Sequence, residues 1–430
     1  MPGKAPSGGQ DDAALHPHAR CGSQAHCGSP HAHCGSQAHC DSPHAHCDSQ
    51  AYCDSPQPHC DSPRAHCGSQ AYCDSPHVPL FAAEKGHCCS QPWDGPRARV
   101  YSLAALLVVT VLLGLAGLKM GALSRSWADI WAALFSASGD ESLRYFVLHL
   151  RLPKVCAALT VGASLALTGT MLQNVLNNPL ASSFTLGLSQ GAAFGASFSM
   201  VILPMAGGLA GLSTVAMGAL AGSLSAALII LAFSMVRGMG PQGLILAGVA
   251  LSTLFGAATM SLQFFASDSQ VAATVFWSFG DLGRGSWREV ALVGLVLLAG
   301  LVFSLRRNLD YDTLRWGDAQ AAALGVSVLR LRCATLLMAS LMAAFATAFY
   351  GVIGFVGLVA PHMVRLIFPH AGHFFLLGGS ALFGACFLLA ADLVAQSIIY
   401  PALLPVGIVC AFTGVPVFLY ILFRGARAHA

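Results

Sequence analysis

From Val100 to the end, the chain is a succession of apolar runs of about 18–25 residues, separated by short clusters of Arg, Lys, Gly, Pro and Asn. No other feature restricts its fold as strongly. Runs of that length cross the ~30 Å hydrocarbon core of a bilayer as helices. Only 10% of residues are charged against 55% hydrophobic, whereas soluble domains carry roughly a quarter charged. The expectation is an all-α polytopic membrane protein with about ten transmembrane helices. We place them near 100–120, 154–173, 184–204, 208–236, 242–266, 289–306, 331–350, 352–368, 375–396 and 404–423. The two around residue 350 nearly run together.

Residues 1–96 are a different material. They hold 11 of the 15 cysteines and 12 of the 17 histidines, among Ser, Pro, Gly and Gln, and almost no Leu, Ile, Val or Phe. Such a segment cannot bury enough apolar surface to offset chain entropy. Cysteines at 21, 27, 34, 40, 47, 53, 60, 67 and 73 step mostly by six and seven, a 13-residue double unit of the type HCDSPHAHCDSQA. A period this short, with Pro and no apolar face, builds no solenoid. Two domains are therefore expected: a disordered low-complexity Cys/His tail, 1–96, and a membrane domain, 97–430. No apolar h-region occurs near the start, so the first long apolar run is read as an uncleaved anchor.

Lys and Arg orient the spans. One set of ends carries Arg97, Arg99, Arg237, Arg306, Arg307, Arg315, Arg330, Arg332, Arg365, Arg424 and Arg427. The other carries Lys119, Arg125, Arg144, Arg151, Lys154, Arg284 and Arg288. The richer side is expected to be cytoplasmic, with both termini on it. Gly191/Gly195, Gly207/Gly211 and Gly218/Gly222 are GxxxG pairs, which let helix backbones approach where lipid supplies little hydrophobic drive.

Catalytic motifs are missing. The chain has no GxxxxGK[ST], no HExxH, no nucleophile elbow and no paired carboxylates in a plausible cleft. An enzyme reading has nothing to stand on, and if transport is energised by ATP, the nucleotide site must be on another chain. Nothing indicates nucleic acid.

Four stretches are specific. They are LRLPKVCAALTVGASLALTGTMLQNVLNNPLASSFTLGLSQGAAFGA (150–196), TLRWGDAQAAALGVSVLRLR (313–332), GVIGFVGLVAPHMVRLIF (351–368), and AADLVAQ followed by LLPVGIVCAFTGVPVFLYILFR (390–424). In this order the set resembles the FecCD-like permease family of ABC importers for iron chelates, haem and cobalamin, over roughly residues 100–425. The resemblance implies ten helices per subunit, a second permease subunit (a homodimer is expected) and a path along the dimer axis. It also implies two ABC ATPase subunits, a periplasmic or lipid-anchored substrate-binding protein, and the plasma (inner) membrane of a prokaryote with its lipid. A ferric siderophore is the expected substrate, with haem or cobalamin as alternatives.

The resemblance also assigns residues. Arg151 and Lys154 occupy an RLPR-type motif whose cations receive carboxylates of the binding protein; such pairs set docking register and on-rate. Arg315, Trp316, Gly317, Asp318, Ala321, Leu324 and Gly325 fall in the loop that couples to the ATPase. Gln173, Asn178, Pro179, Gly187, Gly354, Gly357, Pro361, His362, Arg365, Asp392, Pro405 and Gly407 are further motif positions. For His362 a helix-end hydrogen bond is expected, and Asp392, inside an apolar span, is either functional or a packing partner. The chain departs from the family where Ser182-Ser183 replaces Asp-Pro after Asn178-Pro179-Leu180-Ala181, where Gln396 replaces an Arg, and where Leu403 replaces a Glu.

A rival reading takes the tail as the working part, a membrane-anchored metal-binding or sensing protein. Cys34, Cys40, Cys47, Cys53, Cys60 and Cys67, with His33, His39, His46, His59 and His66, offer ligands to Zn, Cu(I) or Fe(II). Against it, CxxC spacing is missing and each chelate must close a flexible loop. The membrane domain itself calls for no cofactor. An ion-driven secondary transporter is the third reading, disfavoured by the scarcity of charge inside the spans apart from Asp392.

Overall fold

Each expected span proves helical, but three are shorter than the sequence pattern suggests. The computed structural model describes residues 96–119, 126–135, 141–203, 209–236, 239–369, 371–398 and 403–428, all within one compact unit, 74–430. In chain order the helices are α1 (Pro96–Lys119), α2 (Trp127–Phe135), α3 (Glu141–Phe146), α4 (Leu152–Val175), α5 (Leu188–Val201), α6 (Leu209–Ser234), α7 (Pro241–Phe265), α8 (Asp268–Ser278), α9 (Trp287–Arg306), α10 (Asn308–Leu314), α11 (Asp318–Ala323), α12 (Val328–Tyr350), α13 (Val356–Ile367), α14 (His373–Ile398) and α15 (Val406–Ala428). A π-helical turn, Val147–Arg151, splices α3 onto α4. Among the described residues there is no strand.

Seven of these helical segments are long and apolar enough to cross a bilayer: 97–119, 141–175, 214–234, 241–265, 287–306, 328–350 and 373–398. Of the ten expected spans, seven are long enough for a full crossing among the described residues and three are shorter apolar helices. α5 has 14 residues, α13 has 12, and the apolar part of α15 is Val406–Tyr420. The cause is local. The chain from Leu176 to Gly187 runs in turns, with Asn177 at φ 40° and Gly187 at φ 81°. Between α12 and α13 it unwinds from Gly351 (φ 77°) to Phe355 (φ 66°). Pro405 precedes the start of α15. Short helices α2, α3 and α8 lie in stretches the run-length argument left as connections. α8 carries its own start signal, a reciprocal cap between Ser267 and Gln270. Gln270 also donates to the carbonyls of Met200 and Val201 at 3.2 and 3.4 Å, closing the C-terminal end of α5.

α4 is the axis of the bundle, with 78% of its apolar window inside the protein against 11% for α1 and 22% for α7. Its first half lies in one apolar cluster with Val290, Val293, Tyr350 and Leu388; its second half lies in another with Leu244, Tyr311, Leu336 and Leu377. Close approach is bought by glycine. A Cβ on Gly162 would collide with the carbonyl of Gly384 on α14, and one on Gly169 with that of Gly357 on α13. On α5 and α6 the GxxxG pairs interlock: Gly195 faces the Gly218 carbonyl and Gly222 the Gly191 carbonyl. Gly207, of the third pair, lies outside the described residues.

Candidate functional site

α4 and α14 run antiparallel and are joined by polar groups at both ends. Lys154, near the start of α4, pairs with Asp392, near the end of α14, at 3.1 Å. Gln396, one turn on, donates its Nε2–H to the same carboxylate at 2.7 Å. At the other end, the Asn174 amide of α4 meets Nδ1 of His373, the first residue of α14. Twenty residues of α4 separate these joints, ~30 Å at 1.5 Å per residue, which matches the hydrocarbon thickness.

The His373 end holds a buried polar network. Arg365 of α13 spans two successive residues of α4, donating to Gln173 Oε1 at 3.0 Å and to Asn174 Oδ1 at 2.7 Å. Gln173 in turn donates from Nε2 to the carbonyl of Gly357 at 3.3 Å. That carbonyl needs an outside donor because Pro361, four residues on, has no N–H to give it. His373 Nε2 lies 3.0 Å from Ser304 Oγ of α9. Its ring rests on Tyr311 of α10, centroids 4.4 Å apart, and its backbone N–H donates to Asp312 Oδ1 at 2.9 Å. A carboxylate there also suits the positive end of α14. Burial pushes the Tyr311 phenol upward in pKa, and its hydroxyl is 2.7 Å from that of Thr335.

The expected coupling segment leads directly off this network. Arg315 donates to the Ala371 carbonyl at 3.0 Å, just before α14. Gly317 (φ 107°) and Gly325 (φ 87°) bracket α11 in backbone conformations that disfavour side chains. α11 is held from behind: Arg332, 7% exposed, grips the Asp318 carboxylate at 2.9 and 3.1 Å, and Ala321 is buried. Outward, α11 shows Ala319, Gln320, Ala322 and Ala323, rimmed by Trp316 at 75% and Leu324 at 70% exposure. The result is a short, smooth helix presented on a rigid mount.

Between α5, α7 and α8 lies a cavity of ≈ 280 Å³ lined by the polar side chains of Gln190, Ser197, Thr259, Gln263, Thr274 and Ser278, with no charged group in its lining. Hydroxyls and amides at that depth belong beside a cavity rather than against lipid.

The sequence profile of the FecCD transport family matches residues 106–424. The chain belongs to the FecCD transport family. Among FecCD relatives, the hemin transport system permease protein HmuU of Yersinia pestis is 36% identical and covers 75% of this chain and 95% of its own length. The vitamin B12 import system permease protein BtuC of Vibrio vulnificus is 33% identical, covering 76% and 96% respectively. A solved inward-facing structure of a transporter assigned to the metal-chelate ABC type superposes with a TM-score of 0.66 at 28% identity, over 76% of this chain and 99% of that one.

The positions singled out by the resemblance take definite places in the fold. Asn178 accepts from the Leu180 N–H at 2.8 Å, so Asn178-Pro179 form a side-chain-stabilised turn. Ser182 exchanges hydrogen bonds with Thr185 and keeps that turn closed. Gly187 and Gly407 are contact glycines, facing Gly248 and Ser252 of α7, and the carbonyls of Phe279 and Val352, respectively. The Gly354 carbonyl accepts from Val356 at 2.9 Å. His362 is buried along α13 rather than at a helix end. The Pro405 carbonyl accepts from Ile408 at the start of α15.

The two cations expected at a docking rim are used inside the chain. Arg151 is 7% exposed and caps α1 through the carbonyls of Leu118 and Lys119, over the ring of Phe146. Lys154 is committed to Asp392. Asn174, Ser304, Asp312, Arg332 and His373 escaped sequence reasoning as site residues, since each is an isolated polar letter whose partner lies on another helix. The tail ligands, Cys34 through Cys67 and His33 through His66, lie outside the described residues; among the described ones no cluster of three His, Cys, Asp or Glu could hold a metal.

Proposed function

We propose that this chain is the membrane-spanning permease subunit of an ABC importer for a metal chelate, a ferric siderophore in the specific reading. The observation that carries it is α11: a six-residue helix, gripped from behind by Arg332, that offers small side chains between Trp316 and Leu324. That shape suits insertion into a groove on an ATPase. FecCD membership and the metal-chelate transporter with the same fold support the class. The Arg-rich end that carries α11 is then cytoplasmic, and the binding protein delivers the chelate to the end marked by Lys154 and Asp392. An uncharged lining around Gln190 and Gln263 suits a ligand recognised by hydrogen bonds.

The test is co-expression with the candidate ATPase and binding protein, reconstitution in nanodiscs, and ATP hydrolysis measured with four probes: haemin, a ferric tris-hydroxamate, a ferric tris-catecholate and cyanocobalamin. Stimulation by binding protein loaded with either ferric chelate supports the specific reading. Stimulation by haemin or cobalamin alone keeps the class and replaces the substrate. Failure of any ATPase to associate overturns the proposal.

A further inference from the structure

His373 touches more helices than any one function of a helix start requires. It is 1% exposed, yet its polar atoms reach α4 through Asn174, α9 through Ser304 and the segment leading to α11 through Asp312, while its ring lies on Tyr311. The network fixes its chemical state. Arg365 offers only donors, so it selects the oxygen of the Asn174 amide and turns the NH₂ toward His373. Nδ1 must then accept, which leaves the proton on Nε2 to be donated to Ser304. The imidazole is a neutral connector, bonded on both edges.

Its neighbours extend the connection. Asn174 shares Arg365 with Gln173, and Gln173 holds the Gly357 carbonyl of α13, six residues beyond the unwound Gly351. On the opposite side, Arg315 and Asp312 bind the chain at Ala371 and His373. A polar path therefore runs from Arg315, two residues before Gly317, to the unwound junction of α12 and α13. In a low-dielectric interior, breaking one such bond strands both partners, so the cluster resists piecemeal rearrangement.

We propose that His373 is the positioning residue through which displacement of the coupling segment is delivered to α4 and α13, so that these elements move together during each ATP cycle. This rests on the importer reading above. An apolar side chain of similar size would fill the same space but would let α10 slide past α4.

The experiment uses the full importer complex in proteoliposomes, with the chelate that stimulates the wild type among the four probes named above. Uptake of chelate per ATP hydrolysed is compared for wild type, His373→Leu, His373→Gln and Ser304→Ala, alongside basal hydrolysis and assembly. His373→Leu is expected to assemble and hydrolyse ATP at the basal rate while chelate moved per ATP falls about tenfold. His373→Gln, whose amide both accepts and donates, should recover most of that loss, and Ser304→Ala should fall between. Should His373→Leu fail to assemble, Ser304→Ala decides the matter. Unchanged uptake per ATP in the assembling variant, or a His373→Gln no better than Leu, overturns the inference and leaves the importer reading intact. If no ATPase associates with the wild type, or no probe stimulates it, the importer reading fails and takes this inference with it.

Discussion

Pro361 and Gln173 show how one missing hydrogen atom is answered from another helix. The proline leaves the Gly357 carbonyl without its intrahelical donor, and Gln173 supplies a replacement at 3.3 Å while its oxygen receives Arg365. Gln173→Leu should cost about 1–3 kcal/mol, because it strands the Gly357 carbonyl and takes one of two side-chain acceptors from Arg365. Adding Pro361→Ala should return part of that cost by restoring the helical N–H. Thermal unfolding of the four variants in detergent measures the coupling; strictly additive effects would contradict the account. The Lys154–Asp392 pair makes a second case. Asp392→Ala should cost about 3–5 kcal/mol by leaving a largely buried ammonium alone, and Lys154→Met with Asp392→Leu should recover most of it. The same assay reads both. Gln173, Pro361 and Asp392 were all legible as positions of interest in the sequence. So were Gly357, Arg365 and Lys154, but which of them pair was not, because a hydrogen bond across 184 residues, such as Gln173 with Gly357, leaves no spacing to read.

At the level of helices, apolar run length located every long element and misjudged three. The composition of 184–204 is mostly apolar, yet Pro179 and Gly187 hold the chain in turns until Leu188. Likewise 331–368 reads as almost unbroken, and only Gly351 and Gly354 mark where α12 and α13 part. Phe355 is the surprise there: an aromatic residue at φ 66°, stacked on Phe184 at 6.5 Å. Nothing in its letter announces that conformation, which tertiary packing imposes. The GxxxG pairs, by contrast, were readable, and they meet each other. Gly195→Leu should push α6 off α5 and destabilise the protein by about 1–3 kcal/mol or more, since the obstacle is backbone that cannot rotate away. Gly378→Leu, on the exposed face of α14 where nothing lies within 4 Å, is the control and should be nearly neutral. Comparable melting temperatures for the two would refute this packing.

For the molecule as a whole, the decisive question is what it holds on to. Trp316 and Leu324 stand clear of the fold, so replacing both by Ala should leave the isolated chain's stability within about 0.5 kcal/mol. The same pair of changes should weaken ATPase association at least about tenfold, ~1.4 kcal/mol. Titration of labelled ATPase into detergent-solubilised permease measures it, and unchanged affinity would move the docking surface elsewhere. The family could be read from the sequence because its motifs are local strings. The internal use of Arg151 and Lys154 could not, because burial is decided by what packs over them.

One consequence follows from the paired joints of α4 and α14. With Lys154 bound to Asp392 near one membrane face and Asn174 to His373 near the other, neither helix can slip along its neighbour without breaking both joints in the same step. A slip of one turn would carry each partner ~5.4 Å away. The pair therefore has a fixed length and cannot shorten or stretch to suit the lipid around it. A thinner bilayer must be met by leaning the whole pair. Leaning would turn the α11 end and the Lys154 end in opposite directions, so a change in acyl chain length would reach both ends of the pair at once.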